Sequence, residues 1–269
     1  MALDLGDAEG LCGLVRDLQP EVVYHLAAQS HVGLSWEQPA TTIEANTVGG
    51  VNVLEAVRRA APEARLVWAS SCEVYGRALE LPVTEEAPLR PASPYAISKA
   101  AGDQFAALYA EAHGLQIVRA RPFNHVGPGQ QPNFLISSLA QQAARARLDG
   151  ADRLRILIGN PDTRRDYTDV RDVARAYRLL AEPTVAAGVY NISSGRSVSA
   201  AENVATVAAL LAPIEVEQIV DPARVRAHEV MDHRGSYERL RGATGWQPEI
   251  PLRTTIADTI DWWAAELSG

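Results

Sequence analysis

The sequence predicts an α/β protein: a doubly wound parallel sheet with a smaller α+β domain interleaved with it. Strand and helix patterns alternate at the spacing of βαβ units through the first half of the chain. The strand segments are nearly continuous apolar runs, which is typical of strands buried on both faces of a parallel sheet. A chain of 269 residues, 47% of them hydrophobic, is long enough to bury such a sheet as one large domain or two interleaved ones.

The first half of the chain supplies the elements of this sheet. Leucines recur at helical spacing after a short strand end, until Pro20 ends the first helix, and the next apolar run finishes in small residues that leave room for a ligand. A pair of glycines, Gly49 and Gly50, interrupts the second helix where a close approach is expected. The predicted elements are a strand end at 1–5, a helix over 7–18, a strand over 21–28, a helix over 38–60, a strand over 65–70, a helix over 94–113 and a strand over 115–121.

The second half is less regular and predicts the smaller domain. A connector rich in proline and glycine, 122–133, separates it from the last strand of the first half. Near the end of the chain, Ile256, Ile260 and Trp263 mark one face of a helix. The predicted elements are a helix over 134–148, a strand over 154–158, a loop over 159–166, a helix over 170–180, a strand over 189–192, a helix over 200–211, a strand over 216–220 and a helix over 252–267.

Composition excludes several classes of function. A net charge of -8 argues against a nucleic-acid-binding surface, which needs a basic stripe. Two cysteines, Cys12 and Cys72, make no disulfide framework, and the six histidines show no metal-ligand spacing, so we expect no metal. With neither a signal-peptide pattern nor an apolar span of ~18 residues, we expect a cytoplasmic protein with no membrane partner.

A single lysine, Lys99, stands out among the 25 basic residues, because arginine serves everywhere else. Lysine is a compact charge whose pKa moves readily on burial, whereas arginine stays charged. Tyr95 precedes it by one helical turn, which places phenol and ammonium on one face. A nearby cation lowers the pKa of a phenol from ~10 and suits it to proton transfer. On spacing alone, an exposed lysine beside one of eight tyrosines is an equally good interpretation.

A polar segment beginning Ser70-Ser71-Cys72-Glu73 follows the strand over 65–70. Ligands of open α/β sheets bind beyond the carboxyl ends of the strands. By itself this segment is also explained as a polar strand end before a turn. Together with Tyr95 and Lys99 it predicts a site in which the serine holds a substrate oxygen, the tyrosine passes a proton to it and the lysine lowers the pKa of the tyrosine.

Six motifs together resemble a known family. They are His-Leu-Ala-Ala (25–28), Ser-Ser-x-Glu-Val-Tyr-Gly (70–76), Ser-Pro-Tyr-x-x-Ser-Lys (93–99), Arg-Pro-Phe-Asn-His-x-Gly-Pro-Gly-Gln (121–130), Arg-Arg-Asp-Tyr-Thr-Asp-Val (164–170) and Thr-Gly-Trp-Gln-Pro (244–248). Over essentially the whole chain this pattern is similar to the extended short-chain dehydrogenase/reductases that modify nucleotide sugars. Within that family it resembles the GDP-mannose branch, that is, GDP-4-keto-6-deoxy-D-mannose reductases and GDP-mannose 4,6-dehydratases.

The resemblance implies a Rossmann-type fold, a catalytic triad and a nicotinamide cofactor. The triad is Ser71, Tyr95 and Lys99, and hydride would pass between C4 of the nicotinamide of NADP or NAD and C4 of the hexose. The implied cofactor contacts are Asp4, Leu5, Leu26, Ala27, Ala28, Tyr95 and Lys99. The implied dinucleotide-binding domain comprises 1–125 and 185–193, and the implied nucleotide-sugar-binding domain comprises 126–184 and 194–269.

The same resemblance implies a GDP-hexose substrate and a homo-oligomer, either a dimer or a tetramer. Arg165 and Arg226 would contact the phosphates, Glu229 the ribose and Asn124 the nucleotide sugar. Cations placed on two phosphates are the physical requirement of such a site. Ala227 stands where the family usually has proline, so we expect a less rigid loop.

Glu73 is the residue on which the two branches divide. A glutamate at this position drives loss of water in the dehydratases, so its presence keeps dehydration open, as does the simpler interpretation of a solvated loop acid. The connector and the apolar stretch 134–139 favour the reductases. We therefore predict NAD(P)H-dependent reduction of the 4-keto group of a GDP-6-deoxyhexose. The alternatives are a GDP-mannose 4,6-dehydratase and a catalytically silent relative that only binds nucleotide sugar.

The sequence departs from the family at its start. The Gly-x-x-Gly-x-x-Gly loop that receives a pyrophosphate is not found, and Asp4-Leu5 corresponds to the end of the third strand. We expect an N-terminally truncated Rossmann-type sheet whose unpaired edge is covered by a neighbouring molecule or a rearranged N-terminus. We also expect weaker cofactor binding, and the residue that would choose between NAD and NADP falls in the missing part.

Overall fold

The computed structural model describes residues 3–225 and 230–269. The described chain divides into two compact units. The first comprises the residues up to Phe123, Arg175–Ile192 and Tyr237–Trp246. The second comprises the described parts of Asn124–Ala174, Ser193–Ser236 and Gln247–Gly269. The first unit contains one sheet and the second contains two.

The first unit is built on a parallel four-stranded sheet, which confirms the predicted fold class. In spatial order the strands are β1 (Val22–His25), β2 (Arg65–Ala69), β3 (Ile117–Pro122) and β7 (Gly188–Ile192). The helices are α1 (Ala8–Leu18), α2 (Val32–Glu37), α3 (Pro39–Ile43), α4 (Gly49–Ala60), α5 (Pro94–His113) and α9 (Glu238–Thr244). Helix α1 packs on α4, and α5 packs against α4 and β3.

Strand β1 is more exposed than the sequence predicts. The apolar run 21–28 was expected to be buried on both faces, yet Tyr24 is 44% exposed. The reason is its position, since β1 pairs with β2 along one edge and with no other described strand. Strand pairing also ends at His25, so Leu26 and the alanines after it lie beyond the strand. The described residues of the predicted strand end form no strand: Leu3 and Asp4 have no regular structure, and Leu5 lies in a turn.

The helix predicted over 38–60 is divided by a π-helical turn. Pro39–Ile43 and Gly49–Ala60 are α-helical, and Glu44–Val48 between them has the wider π turn. A π turn places one extra residue in the helix and is frequent at functional sites. The two glycines that follow allow the expected close approach, because a Cβ on Gly50 would lie 2.6 Å from the Trp68 ring.

The core of the first unit lies between the sheet and its helices. Trp68 of β2 is one of its two fully buried tryptophans, the other being Trp246. The Trp68 ring packs with Leu54, Leu66, Ala106, Leu115 and Ile117. Burying apolar surface contributes about 25 cal/mol per Å² to folding, so this cluster stabilises the packing of the helices on β2 and β3.

The second unit contains two small sheets. Strand β6 (Arg164–Asp169) lies between β4 (Asn124–Val126) and β10 (Asp232–His233), parallel to both, and β8 (Ser197–Ser199) pairs antiparallel with β6. The second sheet pairs β5 (Arg153–Ile158) with β9 (Glu215–Val220). The helices of this unit are α6 (Leu135–Leu148), α8 (Ala200–Leu211) and α10 (Leu252–Ser268), and α7 (Val170–Leu180) runs from this unit into the first. An apolar core joins α6, α8 and α10 to both β5 and β9.

The predicted loop over 159–166 is wrong at its end, because β6 begins at Arg164. Its sequence, Arg-Arg-Asp-Tyr-Thr-Asp, is too polar for the apolar runs that identify buried strands. Strands β4, β8 and β10 and helices α2 and α9 were not predicted either, since each is short. None of the described helices is both long and apolar enough to cross a bilayer.

Candidate active site

Ser71 lies where β2 ends and a short 3₁₀ turn begins. It caps that turn, Cys72–Tyr75, and its Oγ accepts a hydrogen bond of 3.2 Å from the backbone N–H of Glu73. A serine in extended conformation before a helical turn is a favourable N-cap. The side chain is 7% exposed, and Glu73 beside it is half-buried.

Tyr95 and Lys99 lie on the first turns of α5, whose start is fixed by its sequence. Ser93 caps the helix, with Oγ accepting a 3.0 Å hydrogen bond from Ala96 N, and Pro94 occupies the first helical position. Proline is favoured there because its missing N–H would have no helical partner. Both predicted catalytic side chains are buried, as expected from one shared helix face.

Tyr95 differs in one respect from the prediction. Burial raises the pKa of its phenol to about 12, outweighing the hydrogen bond with Ser71, which lowers it; the nearby Cys72 and Glu73 raise it further. We expected Lys99 to lower this pKa. Instead, the ammonium of Lys99 donates to the backbone carbonyl of Ala69, at the end of β2. Ser71 and Tyr95 are therefore paired directly, and Lys99 is tied to the strand next to them.

Lys99 is itself held in an unusual state by burial. Burial lowers the pKa of its ammonium to about 8, and the negative charge of Asp103, one turn further along α5, opposes that shift. Asp103 is fully buried and accepts hydrogen bonds from Arg121 at 2.9 and 2.8 Å and from Arg119 at 2.9 Å. The pKa of Asp103 stays lowered, since these arginines outweigh its burial. The sole lysine thus lies one helical turn from a buried carboxylate whose pKa is lowered.

Two polar residues near the triad were missed by the sequence analysis. Asn46, in the π turn, donates to the Oγ of Ser98 at 2.9 Å and exchanges hydrogen bonds with the backbone of Gln29 at 2.7 and 3.0 Å. Ser98 in turn donates to the Tyr95 carbonyl at 2.8 Å. The sequence does contain a pattern that indicates burial of Asn46, because Thr42, Asn46 and Gly50 recur every four residues on one helix face.

His25 is the second missed residue, at the end of β1. Its ring contacts that of Trp68 in a tilted arrangement, with the planes at 45° and the centroids 4.5 Å apart. Burial, followed by the positive charge of Lys99, lowers its pKa to about 4. A neutral histidine therefore lies beside the lysine at neutral pH. Its place in the apolar run 21–28 indicated burial, and His-Leu-Ala-Ala contributed to the family resemblance, but neither indicated that its ring lies near Lys99.

The residues implied in cofactor binding are distributed around the end of β1. Leu26, Ala27 and Ala28 are exposed directly after the strand, and Gln29 carries a buried Oε1 with no described hydrogen-bond partner. An open strand end with small side chains, an orphaned acceptor and the donors of Tyr95 and Lys99 fit the nicotinamide-ribose end of a dinucleotide.

The other implied cofactor contacts lie at the start of the chain. Asp4 is exposed and accepts from Gly6 N at 2.7 Å, while Leu5 packs on Gly49 and accepts from the side chain of Asn52 at 2.8 Å. An exposed carboxylate is available to a ligand hydroxyl or amino group. No glycine-rich strand–loop–helix occurs among the described residues, so the fit concerns the nicotinamide end.

Two of the implied substrate-binding residues lie in the small sheet of the second unit. Asn124 opens β4, where its Nδ2 is buried with no described hydrogen-bond partner. Arg165 is on β6, two strand positions before Tyr167, the residue that pairs with Asn124. Its Nη1 donates to the carbonyls of Arg164 at 2.8 Å and Val230 at 2.7 Å. The other two implied residues, Arg226 and Glu229, lie outside the described residues.

Comparison with known proteins agrees with these features. The sequence profile of the GDP-mannose 4,6 dehydratase family matches residues 1–259. The GDP-6-deoxy-D-mannose reductase of Pseudomonas aeruginosa is 36% identical over 98% of this chain and 86% of its own length. A UDP-glucose 4-epimerase of Mycolicibacterium smegmatis is 33% identical over 96% of this chain and 80% of its own length. The structure of RMD from Pseudomonas aeruginosa complexed with NADPH superposes with a TM-score of 0.89 at 35% identity, covering 99% of this chain and 88% of that one.

Proposed function

We propose, from the premise that this chain belongs to the GDP-mannose 4,6 dehydratase family of extended short-chain dehydrogenase/reductases, that it reduces the 4-keto group of a GDP-6-deoxyhexose with NADPH or NADH. The observation that carries the proposal is the placement of Ser71, Tyr95 and Lys99 together at the carboxyl end of β2. The first unit would hold the reacting groups, and the second would bind the nucleotide sugar through Asn124, Arg165 and the flanking segment with Arg226 and Glu229.

The chemistry assigns a role to each side chain. When bound, the dinucleotide supplies a hydride to the carbonyl carbon of the sugar. Tyr95, with a pKa near 12, is protonated at neutral pH and donates its proton to the carbonyl oxygen as the alcohol forms. Ser71 holds the same oxygen by its hydroxyl, while Lys99 binds the nicotinamide ribose and carries a positive charge below pH 8.

A second candidate, dehydration of GDP-mannose, is favoured by Glu73. Its half-buried carboxylate lies next to Ser71 and acts electrostatically on Tyr95, close enough to work on the same substrate. A carboxylate can accept the proton that a sugar carbon loses during dehydration, while the tyrosine exchanges a proton with a sugar hydroxyl. The dehydratase family profile supports this candidate as well.

One pair of incubations separates these functions. A reductase oxidises NADPH when given GDP-4-keto-6-deoxymannose, which is followed by the loss of NADPH absorbance. A dehydratase forms a 4-keto product from GDP-mannose with no added reductant. If the protein binds GDP but neither binds NADPH nor turns over either substrate, it is the silent nucleotide-sugar-binding relative and the proposed function is wrong.

The homo-oligomer implied by the resemblance has a suitable surface on α5. Ile97, Phe105 and Leu108 are exposed by 50%, 38% and 55% along one stretch of this helix, next to α3 with its exposed Ile43. Apolar residues clustered on one face typically mark an interface. We propose that a second copy of the chain covers this face, and light scattering of the purified protein measures the resulting mass.

A further inference from the structure

A buried carboxylate on β6 ties together two loops of the second unit. Asp166 is fully buried. Its Oδ1 lies 2.7 Å from the backbone nitrogen and 2.6 Å from the Oγ of Ser194, and its Oδ2 accepts from Gly195 N at 3.0 Å and Gly235 N at 3.2 Å. Four hydrogen bonds to one carboxylate fix its position closely, because hydrogen bonds to a charged group are stronger than those between neutral groups.

The neighbouring residue on the strand fastens the same segment at its other end. Arg165 Nη1 donates to Val230 O at 2.7 Å, and the register of β6 with β10 pairs Arg165 with His233. Successive strand residues point to opposite faces of the sheet. Arg165 and Asp166 therefore bind the segment 230–235 from different faces, Arg165 at Val230 and Asp166 at Gly235.

The orientation of Arg165 depends on the segment that Asp166 holds. The guanidinium donates a hydrogen bond to the Val230 carbonyl, and Val230 belongs to the segment that Asp166 binds at Gly235. A guanidinium has donors on three nitrogens, and the two hydrogen bonds that Arg165 makes to described residues both use Nη1. This orientation suits a phosphate, for which a fixed planar fork matters more than charge alone.

We propose that Asp166 is a positioning residue for nucleotide-sugar binding: by holding the loop at 194–195 and the segment 230–235 against β6, it sets the orientation in which Arg165 meets the diphosphate. This inference rests on the proposed function, because it takes the ligand of Arg165 to be a nucleoside diphosphate sugar. Asp166 acts through Arg165 and need not touch the ligand.

The charge of Asp166 distinguishes this proposal from a purely structural role, because binding should then depend on pH. Burial raises the pKa of Asp166 to about 6, although its hydrogen bonds from Ser194, Gly235 and Gly195 lower it. The charged and titratable residues on the neighbouring segments are Arg165, Arg196, Asp232, His233 and Arg234. Burial, followed by the positive charge of Arg165, lowers the pKa of His233 to about 4. Protonation near pH 6 removes an acceptor site from Asp166 and so weakens its hydrogen bonds to Ser194, Gly195 and Gly235.

Asp172 provides a matched control. It is buried in the same unit, and its Oδ2 accepts two backbone hydrogen bonds, from Glu249 and Ile250, each of 2.9 Å. These partners lie in the stretch before α10 and not in the segment next to Arg165. Asp166→Asn and Asp172→Asn therefore remove the same kind of group from two places.

The test is calorimetric titration of GDP-mannose into the wild-type protein and both variants at pH 7.5 and 5.5. The diphosphate diester of this ligand does not titrate in that range, so changes in affinity belong to the protein. At pH 7.5 we expect Asp166→Asn to weaken binding about tenfold, as the loss of one well-placed phosphate contact would. Asp172→Asn should bind as the wild type does. The wild type should weaken at pH 5.5, and Asp166→Asn should not.

The outcomes separate the inference from the function on which it rests. Equal affinity of the wild type and Asp166→Asn at pH 7.5 overturns the inference and leaves the function standing. A wild-type protein that does not bind GDP-mannose overturns the proposed function itself. Where Asp166→Asn does not fold, Ser194→Ala removes the 2.6 Å contact with Asp166, together with the hydrogen bonds of the Ser194 hydroxyl with the backbone of Arg196 at 3.0 and 3.3 Å, and keeps the carboxylate. Binding weakened about threefold supports the positioning role of Asp166, and unchanged binding contradicts it.

Discussion

At the scale of single residues, Tyr95 is the side chain whose removal is most informative. Tyr95→Phe keeps the ring and its burial but removes the proton donor and the hydrogen bond with Ser71. We expect turnover to fall by about 10²–10⁴-fold, the usual contribution of a positioned proton donor, with GDP-mannose binding unchanged. Steady-state assays and titration measure the two effects.

Tyr109→Phe is the matched control for this variant. Tyr109 lies on the same helix and donates to Glu55 at 2.8 Å, away from the triad. It should retain the turnover of the wild type. Turnover by Tyr95→Phe within threefold of that of Tyr109→Phe would rule out the proton-donor role.

His25 couples folding to pH. Its folded pKa of about 4 lies below the reference of 6.5, so between these values the unfolded chain binds a proton that the folded chain does not. The free energy of unfolding contributed by this group is therefore present above pH 6.5 and is lost as pH falls towards 4. Each pKa unit corresponds to about 1.4 kcal/mol, so the full loss is about 3 kcal/mol.

Replacing the ring tests this coupling. His25→Gln removes the titrating group, so its stability should change less between pH 7 and pH 5 than that of the wild type does. Urea unfolding followed by tryptophan fluorescence reports the difference, because the Trp68 ring contacts that of His25. Parallel pH dependence in the wild type and the variant would contradict the assignment. His113→Gln serves as the control, since His113 is exposed at the end of α5.

At the scale of elements, α5 approaches β2 through a glycine. A Cβ on Gly102 would lie 2.9 Å from Cζ2 of Trp68, closer than side chains pack. We expect Gly102→Ala to destabilise the protein by about 1–3 kcal/mol, as overpacking does, and to shift the Trp68 emission. The helical Gly13 has no atom within 4 Å of its Cβ position, so Gly13→Ala should stabilise by up to about 1 kcal/mol. Equal stability of the two variants in thermal unfolding would contradict this account.

The sequence predicted the long elements closely and the short ones poorly. Helix α5 begins at Pro94 and ends before Gly114 as expected, because proline and glycine mark its ends. Helices α7 and α8 also have the predicted limits, since their apolar residues recur regularly. Strand β6 was missed because four of its six residues are charged, and these pair with other segments of the chain.

The candidate site, like the fold, was predicted only in part. Motif spacing brought Ser71, Tyr95 and Lys99 together, because two of them share a helix face and the third ends a strand. It did not give the direction of the Tyr95 pKa shift, since that depends on how deeply the phenol is buried. Asn46 was missed because its partners, Gln29 and Ser98, are distant in sequence.

At the scale of the whole molecule, stability of the first unit depends on a buried ionic network. Asp103 joins α5 to Arg121 of β3, and Arg121 donates to the Tyr75 hydroxyl at 3.0 Å, which donates to Asn191 of β7 at 2.7 Å. Asp103→Asn would leave Arg121 buried without its counter-charge. The expected loss is about 3–5 kcal/mol in the free energy of urea unfolding.

A surface ion pair provides the comparison for this network. Arg153 and Glu215 pair at 3.1 Å with both side chains more than half exposed. Arg153→Gln should cost less than about 1 kcal/mol, because water screens exposed pairs. If Asp103→Asn costs no more than Arg153→Gln, the network does not hold the helix to the sheet.

The lone lysine has a practical consequence for spectroscopy. Reductive methylation with ¹³C-formaldehyde modifies primary amines, and the 269 residues carry one side-chain amine, Lys99. Because an α-amino group also titrates near pH 8, a Lys99→Arg variant, which has no side-chain amine, identifies which resonance belongs to Lys99. The amine is enclosed between α5 and the end of β2, so it reacts only when the helix opens from the sheet. The rate of labelling thus measures the opening of the active site, and its slowing by a ligand would report binding without any turnover.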